Sequence, residues 1–163
     1  MDGYEGATFA TVDIVSLDLS DEPTASELLE LQRRAYQVEA VLIGSDEIPP
    51  LRETLAELQA SGETFLGLRL SGALVGAISW RSDGETIDLH RLVVDPAHFR
   101  TGVGSALVRC AVGAVPGARQ AVVQTGAANE PALALYRREG FAETEQLEPL
   151  PGLRVTRFAK RLR

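Results

Sequence analysis

"LHRLVVDPAHFRTGVGSALVRCAV", Leu89 to Val112, sets an apolar run ending at Asp95-Pro96 before a short polar link, a Gly-Val-Gly turn and a second apolar run of different period. Alternation before the proline predicts a strand, and the period after Gly102 predicts a helix over Gly104–Val115. A strand that passes through a glycine turn into a helix start builds an anion site. The first helical N–H groups have no partner inside the helix, and the helix dipole adds partial positive charge there. Glycine lets the backbone approach a bound group and adopt positive φ. Arg100 offers a charge-assisted contact. A phosphate or pyrophosphate is therefore expected over Arg100–Ser105. A tight turn with a purely structural purpose is the competing reading. The spacing is neither that of a Walker loop, which needs Gly-Lys-Ser/Thr, nor of the dinucleotide fingerprint, which needs a third glycine.

Outward from this stretch, "TVDIVSLD" (Thr11–Asp18) alternates like a strand, and Ser20–Ala40 opens with cap-type residues and a proline, as helices do. In "LRETLAELQASG" (Leu51–Gly62), Leu51, Leu55 and Leu58 share a helical face, with Gly62 as a stop. Three strand-like runs follow, turned at Ser71-Gly72 and Asp83-Gly84, both hairpin signals. After the glycine-turn helix come a strand in Ala118–Gly126, a short helix in Asn129–Gly140, and an antiparallel pair in Phe141–Leu150 and Leu153–Leu162. The order is β-α-α-β-β-β-α-β-α-β-β, an α/β (α+β) fold with a mixed sheet flanked by helices. Residues 1–163 are expected to form one domain, with 1–10 a flexible leader.

No apolar segment approaches the ~20 residues needed to span a bilayer, and the acidic N-terminus lacks a secretory pattern. Cys110 is the single cysteine, so no internal disulfide or cysteine-built metal site is expected, and the cytoplasm is the natural compartment. A net charge of −7 argues against a nucleic-acid surface. Residues 1–60 carry thirteen Asp/Glu against three Arg, while residues 61–163 carry ten against thirteen Lys/Arg. This asymmetry has two readings: solvated acidic helices, or halves that face ligands of opposite charge.

"LVVDPAHFRTGVGSALV" resembles the acetyl-coenzyme A loop of the GNAT superfamily of N-acetyltransferases: an apolar strand, Val-x-Pro, then Gln/Arg-x-x-Gly-x-Gly/Ala opening a helix. Val94-Asp95-Pro96 and Gly102-Val103-Gly104 fall on that pattern; Phe99 departs from it, with the arginine one residue later at Arg100. "NEPALALYRREGF" is similar to a second pattern of the family through Asn129, Ala132, Leu135, Tyr136, Gly140 and Phe141. The likeness spans Thr11 to Leu162 and is strongest from Leu89 to Phe141. It implies a mostly antiparallel central sheet whose next strand splays away after Leu92–Val94. It also implies acetyl-CoA as co-substrate with no metal, held by Leu92, Val93, Val94, Arg100, Thr101, Gly102, Val103, Gly104, Ser105, Asn129 and Tyr136.

Acetyl transfer from a thioester to an amine needs a held donor, a neutral amine, a polarised carbonyl and a proton for the departing thiolate. Lysine-like amines have pKa ~10.4, so a base or water chain must take a proton first. The resemblance places Tyr136 as the acid; an aromatic that simply packs one helix end is the plain alternative. On a regular strand, Asp88, His90, Leu92 and Val94 share a face, which makes Asp88 and His90 the candidate bases and Glu85 a weaker one; a bulge would change that grouping. Backbone N–H groups near Leu92–Val94 are expected to polarise the carbonyl. Asp46 and Glu47, in a Pro/Gly-bounded loop, are either solvated or an attraction for a cationic acceptor. Trp80, Tyr36 and Phe65 read as core or pocket wall, and Cys110 as packing on the apolar side of its helix. The expected activity is N-acetylation of a primary amine, small molecule or peptide, by direct attack. The alternative is a non-catalytic acyl-CoA-binding module. The C-terminal strands leave a homodimer open.

Overall fold

The computed structural model describes residues 11–43 and 52–163. Its elements are β1 (Val12–Ser16), α1 (Glu22–Ile43), α2 (Leu55–Gln59), β2 (Thr64–Leu70), β3 (Ala73–Asp83), β4 (Thr86–Val94), a 3₁₀ turn (Pro96–His98), α3 (Val103–Val112), β5 (Gln120–Gly126), α4 (Glu130–Arg138), β6 (Ala142–Leu150) and β7 (Leu153–Arg161). They follow the expected order. The seven strands form one sheet, β1-β2-β3-β4-β5-β7-β6, antiparallel except for the central β4–β5 pair. None of the described helices is long and apolar enough to cross a membrane.

Two helices differ from their expected extents for local reasons. α2 begins only at Leu55, because Thr54 closes a capping box: its hydroxyl accepts from Glu57 N at 3.1 Å and Glu57 Oε1 accepts from Thr54 N at 3.0 Å. α3 stops at Val112, three residues early, with Gly113 as its C-cap. Cys110 is corrected too. It is exposed, because the buried stripe of α3 runs through Val103, Gly104, Leu107, Val108 and Ala111 and leaves position 110 off it.

Apolar cores cover both faces of the sheet. One, under α3 and α4, is built around Phe158, Ile78, Ile87 and Leu107. The other, under α1 and α2, holds Leu28, Leu31, Leu58, Phe65 and Val93. β4 serves both, and a bulge decides how. Leu89 pairs with Trp80 and Arg91 with the adjacent Ser79, so His90 is an extra residue. Before the bulge Ile87 and Leu89 face the α3 core; after it Leu92 and Val94 do. The regular-strand grouping of Asp88 and His90 with Leu92 and Val94 is therefore corrected: Arg91 and Val93 take the α1 side.

β4 and β5 pair only from Thr86↔Gln120 to Leu89↔Val123. Beyond that point β5 stays with β7 as far as Gly126↔Val155, while β4 stays with β3 as far as Val94↔Gly76. The two central strands part, and a wedge opens in the middle of the sheet.

Candidate active site

The turn after β4 is fixed by Asp95, whose carboxylate accepts from Ala97 N at 3.0 Å and from Arg34 at 3.1 Å. Those contacts, the Ala97 amide foremost, hold its pKa below the ordinary value. The chain then passes through two left-handed residues, Arg100 at φ 63° and Gly102 at φ 86°. A non-glycine there is uncommon and marks a constrained loop. Gly102 is the N-cap of α3 and supplies no side-chain acceptor, so the first-turn amides stay open to a ligand. Gly104 has a different reason: a Cβ there would stand 2.7 Å from Leu135 Cδ1, so glycine lets α3 close on α4.

These amides face a cleft of about 800 Å³ walled by α1, the end of β4, the loop, α3 and α4. Of the expected coenzyme residues, Leu92, Val94, Arg100, Gly102, Val103, Gly104, Ser105 and Asn129 line it. Three do not line it. Val93 is buried in the α1-side core, Thr101 turns its hydroxyl to His98 O, and Tyr136 is buried under the cleft floor against Phe141 and Phe158. Phe99 is exposed at the rim. Arg100, Arg109 and Arg138 supply positive charge. Asn129 caps α4 by accepting from Ala132 N at 3.3 Å.

A second cleft, about 730 Å³, carries Asp88, His90, Arg91, Glu63, Gln124 and Arg157. Tyr36 belongs to both clefts. The two candidate bases are brought together here: His90 Nε2 lies 3.3 Å from Asp88 Oδ2, and its Nδ1 lies 3.7 Å from Glu63. Glu85 is elsewhere, paired with Arg119 at 3.2 Å. Asp46 and Glu47 lie outside the described residues. Arg91 went unnoticed in the sequence, where nothing distinguishes it from a solvated strand residue. The bulge turns it inward, and it donates to Glu63 at 2.9 and 3.1 Å, to Glu53 at 2.9 Å and to buried Gln32 at 2.9 Å. Glu39 in the first cleft was missed as well.

Residues 25–141 match the acetyltransferase (GNAT) family. The chain is 38% identical over 134 residues to the UPF0157 protein YqkA of Bacillus subtilis, covering 82% of this chain but only 39% of that protein. It is 34% identical over 116 residues to the N-alpha-acetyltransferase RimI of Mycobacterium tuberculosis, covering 67% of this chain and 71% of the relative. The structure superposes on the PaiA N-acetyltransferase of Thermoplasma acidophilum in complex with coenzyme A with a TM-score of 0.80, at 19% identity, covering 93% and 99% of the two chains. The chain belongs to the acetyltransferase (GNAT) family, whose members draw their acetyl group from acetyl-CoA.

The residues present fit that co-substrate. An uncapped ten-residue helix, three arginines and an open strand edge converge on one cleft. The buried Nδ1 of His98, on the same wall, has no hydrogen-bond partner among the described residues, which suits a polar ligand. Gly102→Val tests the loop. A Cβ at this position meets no protein atom within 4 Å, so it would project into open space beside the amides. A β-branched residue also resists φ 86° by about 1–2 kcal/mol. Acetyl-CoA affinity is expected to fall about tenfold or more by calorimetry; an unaltered Kd would tell against the loop.

Proposed function

We propose that this chain acetylates a primary amine by direct attack of the bound amine on the thioester of acetyl-CoA. The observation that carries this is the meeting of two clefts at Tyr36, beside the point where β4 and β5 part. A donor lying along the α3 amides and an acceptor entering from the opposite cleft would meet there. The bound donor supplies an activated acetyl group and a thiolate leaving group. In this reading the amides of Gly102, Val103, Gly104 and Ser105, with Arg100 and Asn129, hold the donor. Thr101 shapes the loop, and the Leu92–Val94 backbone offers donors along an edge that no strand covers. Tyr136 is the acid. His90 and Asp88, in contact and open to solvent, carry the amine's proton away.

The 34% identical relative named as an N-alpha-acetyltransferase makes peptide α-amines the first acceptors to try, with polyamines and lysine side chains beside them. Purified protein with acetyl-CoA and this amine panel should release free thiol with at least one acceptor. Tight binding of acetyl-CoA with no thiol release from any amine would make the chain a binding module. Within the active reading, His90→Gln and Asp88→Asn are expected to lower or shift the acidic limb of the pH–rate profile. Two unchanged profiles would remove the pair from proton transfer.

A further inference from the structure

Glu39 belongs to neither sequence motif. It lines the donor cleft from α1, one helical turn beyond Tyr36, the residue at which the two clefts meet. Across the cleft stands Asn129. Its Oδ1 accepts from Ala132 N at 3.3 Å, and its side-chain amide works to lower the Glu39 pKa. A carboxylate inside a cleft usually finds a cation, because an unpaired charge there is costly. No cation pairs with Glu39 among the described residues. Of the nearby guanidinium groups, Arg91 is engaged by Glu53 and Glu63, Arg109 by Glu139 at 2.8 Å and Arg138 by Ser105 Oγ at 3.4 Å, while Arg100, on the loop wall of the same cleft, pairs with no other side chain among the described residues. The structure thus keeps a negative group on the donor side of Tyr36, one helical turn from the point where the two clefts meet.

We infer that Glu39 takes the proton from the acceptor's ammonium group where the two clefts meet beside Tyr36. This rests on the acetyltransfer reading. One N–H bond of the ammonium breaks toward a Glu39 oxygen. The electron pair stays on nitrogen as the nucleophile, and the carboxylate becomes a carboxylic acid. The proton then leaves to solvent on the His90–Asp88 side. Burial supports the role: it pushes the Glu39 carboxyl above its ordinary value, and the Asn129 side-chain amide draws it only partway back. The titratable and charged groups around the same space are Tyr36 on α1, His98 and Arg100 on the loop, Arg109 on α3, and Arg138 and buried Tyr136 on α4.

The sign of the linkage separates this role from a structural one. A carboxyl whose folded pKa is raised contributes stability that is fully present below its unfolded value of ~4.5 and is lost as pH rises through the folded value. Glu39→Gln should therefore melt no lower than wild type at pH 7. It should also lose about 10²- to 10⁴-fold in kcat/KM, with the acidic limb of the pH–rate profile gone. Glu39→Asp should restore part of the rate. Carbon-13 carboxyl titration of the ligand-free protein should place Glu39 above ~4.5. A Glu39→Gln variant with a wild-type acidic limb, one that melts several degrees lower, or a Glu39 titration at or below the ordinary value overturns the assignment. If the wild type transfers acetyl while the variant's profile is unchanged, only Glu39 is removed. An inert wild type instead brings down the acetyltransfer reading on which Glu39 depends.

Discussion

Replacing Tyr136 by phenylalanine is expected to cut turnover about tenfold to a thousandfold while leaving acetyl-CoA affinity nearly unchanged. The ring lies edge-on to Phe141 at 5.5 Å and tilted against Phe158 at 6.0 Å, and phenylalanine keeps both contacts. Only the hydroxyl is lost. Burial first, and the Glu39 charge second, hold that phenol above its ordinary pKa, so it carries its proton throughout the neutral range. A phenol fixed by ring packing and kept protonated can offer a hydrogen bond toward a departing thiolate, while its raised pKa makes it a weaker acid than an exposed tyrosine. Steady-state kcat compared with a calorimetric Kd separates the two effects. Unchanged turnover would return Tyr136 to the packing role that its burial also satisfies.

Arg91→Leu should be the most damaging single change to stability, by about 3–5 kcal/mol, because it strands two largely buried carboxylates beside each other. Glu53 and Glu63 are 14% and 7% exposed against an arginine 10% exposed. Burial alone would raise the Glu63 carboxyl, but hydrogen bonds from Arg91 and Ser79 and the Arg91 charge override it and hold the pKa down. With its folded pKa depressed, Glu63 contributes stability above its unfolded value of ~4.5 that is lost as pH falls below it. The gap between wild type and variant should accordingly be wide at pH 7 and narrow towards pH 4. Thermal unfolding at both values checks this. Adding Glu53→Gln and Glu63→Gln to the variant should recover much of the loss; an equal gap at both pH values would mean that packing, not charge, is what Arg91 supplies.

The element order and the donor loop were readable because they depend on signals a few residues apart. Pro96, Gly102 and Gly104 punctuate the chain, the apolar period changes across them, and Asn129 and Tyr136 sit at fixed spacing on one short helix. What escaped depends on register or on distant contacts. The His90 bulge exists only against β3, and it alone turns Arg91 inward toward Glu53 and Glu63. Glu39 gains its meaning from the cleft it shares with Asn129, ninety positions away at the cap of α4. A regular strand would put Asp88 and His90 on the face of Leu92 and Val94, whereas the structure sets them in contact on the far side from the α3 amides. Cys110 shows the limit of a helical period alone: it lies three residues from Leu107 yet outside the stripe that α3 buries.

The most direct test of the whole account is a crystal of the protein grown with acetyl-CoA. The diphosphate should lie against the amides of Gly102 to Ser105, with the pantetheine arm running through the wedge between β4 and β5 toward Tyr36. A coenzyme bound outside that wedge, or a diphosphate away from the start of α3, would contradict it.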